Sequence, residues 1–426
     1  MEKFIQTAKK LGHDIERLKN GEEIVSTLVV NDIHELKALL NHGEDTSETR
    51  ANRLKKFEAK DLTDLDKTER LVQKANAFIF ADYPLSDQEH IAIKDAFPME
   101  VECLSADNKI IGNAKPWKIP EPNTNHHPRI YNVDTFTIEP GAYIEITNCI
   151  VTMSIGELVK YTDEPPKTPS PKGFSDDDDN YYDIGIFGAQ GSIGATGQSG
   201  QPGQNGTKGL HGKYGTNGAD GGKGSDGETG ENGQPSLTAN INIQKISFKN
   251  NKPKDLSNNI DDQNNYKITI ATQSGSGGLG GSGGQGGSGG NGGDGGAGHQ
   301  RGCNPGTNGG SGGNGGNGGD GGQGGQGGNG TNGDDIYIKV SEDQEDKINP
   351  TDSPADPGKP GIAGVAGIGG KPGTGGNGGH QGSCPRGKNG ADGNPGKPGD
   401  PGKIGTPGVS YGSPGTIYVN GKIPTK

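Results

Sequence analysis

Residues 277–298 read GGLGGSGGQGGSGGNGGDGGAG, an unbroken series of Gly-Gly-X triplets. With two glycines in every three residues this stretch has almost nothing to bury. Its period of three matches neither the 3.6 of an α-helix nor the 2 of a strand. It does match the left-handed polyproline-II-type helix, which has three residues per turn, rises about 3.1 Å per residue and makes no internal hydrogen bonds. Each N–H and C=O must therefore find its partner on a neighbouring segment. Glycine lets backbones approach closely enough for that, because it has no Cβ, and Cα–H···O contacts add a second-order gain.

Outward from this stretch the same period returns. Glycine holds every third place from Gly306 to Gly333, and between the two runs the frame slips at His299-Gln-Arg-Gly-Cys-Asn-Pro305. A second pair runs from Gly358 to Gly382 and from Gly387 to Gly408, broken at Ser383-Cys-Pro-Arg386. The first run, Gly185 to Gly233, keeps one frame, with its midpoint near Leu210-His211. Each glycine excursion begins and ends beside a short segment that alternates apolar and polar residues: Ile241–Phe248, Tyr266–Ala271, Ile336–Val340 and Thr416–Val419. Such alternation reads as half-buried strand. The order is strand, helix out, tip, helix back, strand. Three hairpins give a bundle of about six polyglycine-II helices, each roughly 70 to 80 Å long. The Gly-Gly-X hairpin belongs in the middle, since two glycines per turn accept close neighbours on two faces.

Such a bundle resembles the known users of polyglycine-II packing: the snow flea antifreeze protein, the receptor-binding adhesins at the tips of T-even-type phage tail fibres, and the glycine-rich domain of Obg GTPases. The resemblance covers about half the chain and lies in the triplet period. It implies the fold and, through the adhesins, a tip that meets a surface receptor. Collagen-like G-X-Y repeats are a weaker match. A triple helix draws rigidity from proline, the Gly-Gly-X runs contain none, and proline gathers only late, as in Gly393-Asn-Pro-Gly-Lys-Pro-Gly-Asp-Pro401.

The rest of the chain reads as three regions. Residues 1–98 form a helical attachment or oligomerisation domain. Phe4, Ala8, Leu11, Ile15 and Leu18 make an a/d seam, a second apolar run from Val25 to Leu40 stops at Asn41-His42-Gly43, and Ser86-Asp-Gln-Glu89 has the form of a capping box. Residues 99–161 are β-rich and contribute a small base, with a hairpin turning at Ala106-Asp107-Asn108 and two or three strands around Pro140-Gly141. Residues 162–184 are a Pro- and Asp-rich linker, and 185–426 hold the glycine lattice with its interspersed strands. The expected fold class is mixed: an N-terminal α-helical region, a small β base, and the bundle of about six polyglycine-II helices arranged as three hairpins.

The chain has 426 residues, 26% hydrophobic, and a net charge of −12. An acidic balance argues against nucleic acid as a partner. No stretch is apolar for long enough to span a bilayer, and the N-terminal Met1-Glu-Lys-Phe-Ile-Gln-Thr-Ala-Lys-Lys10 lacks the apolar region of a signal peptide. The compartment is left open. An extracellular or virion location would need a non-classical route.

Catalytic motifs are trivial. Gly280-Gly-Ser-Gly-Gly284 satisfies G-x-S-x-G only because any serine in this tract would, and a nucleophile elbow needs a strand-to-helix turn. No enzyme is expected. Adjacent His126 and His127 would point apart on an extended chain. The distal turns carry more chemistry. His299-Gln-Arg-Gly-Cys303 and His380-Gln-Gly-Ser-Cys384 share the pattern H-Q-x-x-C. If the hairpins run side by side, Cys303 and Cys384 can form a disulfide closing a loop of roughly 80 residues. Alternatively His299, Cys303, His380 and Cys384 can hold Zn²⁺ tetrahedrally; no other cofactor is expected. His211, Arg301 and Arg386 are the candidate tip-binding residues. The functional expectation is a non-enzymatic structural and binding protein, an adhesin-like lattice that displays its tip to a cell-surface receptor or to a protein assembly, with a homo-oligomer formed through the N-terminal helices. The alternatives are a collagen-like trimeric stalk and an ice-binding protein.

Overall fold

The computed structural model describes residues 2–41, 46–60, 62–63, 67–112, 116–120, 127–162, 181–249, 266–300, 302, 304–381 and 383–424. Alternating β-branched and polar residues after residue 98 wind the chain into a coil that crosses between two sheets at every strand. The first sheet holds β2 (Met99–Ile111), β4 (Arg129–Ile138), β6 (Val151–Tyr161), β8 (Ala239–Lys249), β10 (Ile336–Val340) and β12 (Ile417–Val419). The second holds β3 (Pro116–Ile119), β5 (Tyr143–Thr147), β7 (Ile184–Phe187), β9 (Ile268–Gln273) and β11 (Ile348–Ser353). Within each sheet these strands are parallel. Parallel stacking in register places like upon like. Met153, Ile241, Ile338 and Val419 form one row of the first sheet, and Ile144, Ile184 and Ile270 form a row of the second. The two sets of inward side chains build the main apolar core. Burying a branched aliphatic chain contributes about 1.5–3 kcal/mol.

The opposite face of the first sheet is covered by the N-terminal region: α1 (Glu2–Lys10), α2 (Ile15–Lys19), α3 (Ile33–Leu40), α4 (Ser47–Glu58), α5 (Lys67–Ala81) and α6 (Asp87–Ile93). Side-chain oxygens of Asp14, Asp32, Thr46 and Ser86 accept from the first free N–H groups of α2, α3, α4 and α6. The Ser86/Glu89 capping box is complete. Leu36, Leu40, Phe78, Ile79 and Phe80 pack on Val101, Cys103, Ile130, Tyr337 and Tyr418. Arg53 lies over the Tyr337 ring at 3.8 Å and Lys56 over Tyr418 at 4.0 Å, cation–π contacts on a partly desolvated surface.

Several expectations are corrected here. The fold class is not an α-helical region on a small β base with a bundle of six polyglycine-II helices in three hairpins. Among the described residues the regular structure is short α-helices and two largely parallel sheets with twelve strands, an α/β arrangement, and the glycine-rich segments belong to neither. The physical reason is that a three-residue repeat closes no hydrogen bond within itself, so its order comes from neighbours whose register the sheets set. The apolar run Val25–Leu40 is not one helix but a strand, β1 (Ile24–Val30), followed by α3; its β-branched residues favour the pleat. Val101–Ile111 contains no hairpin: β2 runs straight through Ala106-Asp107-Asn108, because pairing with β4 outweighs local turn propensity. The interspersed strands are divided between two sheets, with β9 in the second, and Ile243, Ile246, Ile268, Ile270, Ile336, Ile338 and Ile417 are buried in the one core between them. Most of the linker, including Asp176–Asp179, lies outside the described residues.

Candidate functional site

All three glycine-rich excursions leave the same side of the coil, each following a strand of the second sheet and preceding one of the first. They occupy residues 188–238, 274–335 and 354–416. Their outgoing limbs lie side by side. Gly191 N–H donates to Ser276 O (2.9 Å) and Gly197 to Ser282 O (2.7 Å), linking the first to the second. Gly280 donates to Lys359 O (2.9 Å) and Gly286 to Val365 O (2.8 Å), linking the second to the third. The returning limbs repeat the plan, Gly221 to Asn317 O (2.8 Å) and Gly315 to Asn394 O (2.9 Å). Between the two layers run Ala219 to Gln204 O, Gly316 to Gly290 O and Gly390 to Gly376 O, each 2.8 Å.

The register is inherited from the sheets. Ile184 pairs with Ile270, and the same spacing of 86 residues joins Asn205 Oδ1 to Asn291 N. Ala239 pairs with Ile336, and the same spacing of 97 joins Asn217 Oδ1 to Asn314 N. The outgoing layer thus continues the second sheet and the returning layer the first. In the middle excursion one glycine N–H of each triplet bonds within its layer and the other across it. A Cβ on Gly286 would lie 2.0 Å from Gly319 O, and one on Gly315 2.1 Å from Gly370 O, so no other residue fits there. Where the neighbouring row carries Asn or Asp, the X residue's N–H takes a side-chain acceptor: Asn205 Oδ1 accepts from Asn291 N and Asn217 Oδ1 from Asn314 N (each 2.8 Å), and Asn291 Oδ1 and Asn314 Oδ1 in turn accept from Lys371 N (2.9 Å) and Asn394 N (2.8 Å) of the third excursion. Along the last returning limb, exposed Pro395, Pro398, Pro401 and Pro407 replace N–H groups that would have no partner limb.

The two faces of this slab differ. On the returning layer the rows are mostly Asn, Asp, Gln and Lys, such as Asp220 beside Asn317 (2.6 Å) and Asn317 beside Lys397 (3.0 Å), with exposed Tyr214 and Val409 near their ends. On the outgoing layer, Ile193, Leu279, Ile362, Val365 and Ile368 occupy the outward rows that Asn205, Asn291 and Lys371 continue, and all five are exposed.

At the distal end the turns meet. His211 has a left-handed backbone (φ 42°), and its ring stands edge-on to that of His299 at 6.3 Å. Thr307 ties down the second turn: its Oγ1 accepts from His299 N (2.7 Å) and donates to His299 O (2.9 Å). Gln300 Nε2 donates to Asn304 O (3.0 Å). Gly306 N–H donates to Pro385 O (2.9 Å), joining the second turn to the third. Cys384 is disulfide-bonded. Its suggested partner Cys303 and the candidate tip residue Arg301 lie outside the described residues. Arg386 and His380 are exposed near this end. Among the described residues no three His, Cys, Asp or Glu side chains gather to hold a metal. The other cysteines, Cys103 and Cys149, are free and buried, their thiols pushed up to about 12 by burial. His127 Nδ1 lies 3.4 Å from Glu100, and His126 is outside the described residues.

A polar cluster at the proximal end escaped sequence reading. Asp334 is buried where the second excursion re-enters β10. It accepts from Gln73 Nε2, from Asn76 Nδ2 (2.7 Å) and from Thr238 Oγ1 (3.5 Å). Burial raises its carboxyl to about 6, against the pull of Gln73 and Lys60. Beside it Lys60 pairs with Asp335 at 3.0 Å. A cavity of about 20 Å³ there, lined by Phe57, Ala77, Phe80 and Tyr337 among others, has room for one water. The only sequence signal was a pair of aspartates ahead of a strand.

The comparisons bear on the first excursion. Residues 183–240 match the collagen triple helix repeat (20 copies). The repeat is therefore collagen-like in sequence and carries a structural role for this part of the chain. In the structure its glycine N–H groups donate to carbonyls of the same chain. Neither the curated proteins nor the solved structures gave a match. Among the described residues no helix is long and apolar enough to cross a membrane.

Proposed function

We propose that this chain is a non-enzymatic structural and binding protein whose glycine slab holds the distal turns toward a cell-surface receptor, while the helices and sheets attach to a protein assembly. The observation that carries this reading is the continuous register from sheets to turns. Three excursions bonded to one another along their whole length form a stiff arm, and its far end collects His211, His299, Cys384 and Arg386. Within this reading the Cys384 disulfide, to Cys303, locks two turns together, and zinc held by His299, Cys303, His380 and Cys384 is the alternative for a reduced tip only. The experiment is binding of labelled protein to intact cell envelopes, comparing the natural chain with His211→Ala/Arg386→Ala. Lost binding at unchanged melting supports the arm reading, whereas undiminished binding refutes a role for the tip. Mass mapping without reductant, with metal analysis of untagged protein, separates disulfide from zinc.

The collagen match favours a second reading, a trimeric stalk. A solution mass of three chains, with loss of the triplet structure on dilution, would establish it.

A further inference from the structure

Among the described residues the two sheets end in four edge strands: β1 and β12 in the first, β3 and β11 in the second. An uncovered edge offers unpaired N–H and C=O groups to any passing strand, and proteins blunt such edges with proline, charge or brevity. Three of the four are blunted. β12 has three residues and is closed by a turn in which Lys422 bridges back to Val419. β3 has four residues, beginning with Pro116 and carrying Lys118. β11 contains Pro350 and Asp352. β1 is different: Ile24-Val-Ser-Thr-Leu-Val-Val30 is seven residues long with no charge and no proline.

β1 also overhangs the second sheet, which stops at β3. Val25 and Val29, on the face it shares with Leu104 and Glu100 of β2, are 57% and 58% exposed.

We infer that β1 is a dimerisation edge whose occupant is β1 of a second copy of this chain. The sequence is self-complementary about Thr27. A two-fold axis through that residue gives antiparallel pairing, in which Thr27 faces Thr27, Val25 faces Val29, Ser26 faces Leu28 and Ile24 faces Val30. Each pair on the exposed face is β-branched on both sides, the combination that stabilises cross-strand contacts, and the interface is isologous. Of the acidic residues that flank the strand, Glu22 is paired with Arg17 (2.8 Å) and Glu23 with Lys109 (2.6 Å), while Asp32, which comes opposite Glu22 in this register, is held by the first N–H groups of α3, accepting from His34 N and Glu35 N. β1 already runs antiparallel to β2, so the added strand extends the antiparallel pairing at this edge of an otherwise parallel sheet.

The test is the solution mass of the full chain by light scattering, with two charge variants. The natural chain should have the mass of two copies. Val25→Lys/Val29→Lys places like charges directly across the axis and should halve the mass, as should Val25→Glu/Val29→Glu. Mixing the two variants should restore a one-to-one dimer. Both side chains are exposed in the single chain, so circular dichroism and melting of the separate variants should stay native-like. A monomeric or trimeric natural chain, a lysine variant that keeps the natural mass, or a mixture that fails to reassociate would each overturn the proposal.

Discussion

The two-sheet coil and the glycine slab share one register and differ in what fills the space between their layers. In the coil, rows of isoleucine separate the sheets, and stability comes from apolar area removed from water. In the slab the layers touch chiefly through backbone at hydrogen-bond distance, with a few side-chain acceptors such as Ser225, Asn389 and Asp392 added, and among the described residues no apolar side chains lie between them. The contrast shows that one pattern of parallel pairing can be held by an oily core or by close-packed peptide groups. Glycine carries the heavier ordering cost, which is why the slab needs the coil to set its register before its own hydrogen bonds can form.

The largest test of that dependence is removal of the coil's last strand. Deleting residues 416–426 takes away β12, whose Ile417 and Val419 are buried against β10. It should unfold the adjoining limbs together with the edge of the sheet. A truncated protein with unchanged melting would separate the two regions and break the comparison.

Next come single substitutions matched across the regions. Ile241→Ala leaves a cavity in the coil and should cost about 2–5 kcal/mol. Gly286→Ala and Gly315→Ala drive a methyl into carbonyl oxygens that cannot move away and should each cost about 3 kcal/mol, at the upper end of overpacking. Lys208→Ala, on the exposed surface, should stay within about 0.5 kcal/mol. Denaturant midpoints decide. Equal effects at Gly286 and Lys208 would mean the slab is not close-packed.

A smaller effect, tied to pH, belongs to the junction. Asp334 titrates at about 6 when folded, against an ordinary value of 3.8. The folded state therefore binds the extra proton between these values, so stability should rise as pH falls from about 7 to 4, by on the order of 2–3 kcal/mol. Below pH 4 the sign reverses. Glu89, held down to about 2 by Lys74 and the Ser86 N–H, and Asp82, held low by Arg50 and Lys37, then lose their partners as they protonate. Asp334→Asn should flatten the slope between pH 6 and 4, leaving the contribution of Asp183, whose carboxyl burial also raises, and the acid limb.

The smallest effect should be Asn314→Ala. It deprives Asn394 N of an exposed acceptor that water can replace, and should cost at most about 1 kcal/mol. A larger loss would show that the side-chain rows, and not the glycines alone, hold the slab.

Taken by itself, the sequence determined what is local. The period of three, the alternation at 241–248 and 336–340, and the Ser86-x-x-Glu89 box are spacings of a few residues, and each biases a local backbone conformation, although the triplet runs hold theirs only through bonds to neighbouring limbs. It also marked His211 and His299 as turn residues, while the meeting of their rings at 6.3 Å is a finding of the structure. Tertiary structure decided the rest. Whether Val25–Val30 is strand or helix depends on β2, paired with it from some 80 residues away. The division of the strands between two sheets follows from where each excursion re-enters. Asp334 is buried only because α5 lies across β10. The reason is common to all three. Parallel partners here are separated by as many as 97 residues, and at that distance composition records that a neighbour is needed but not which one it will be.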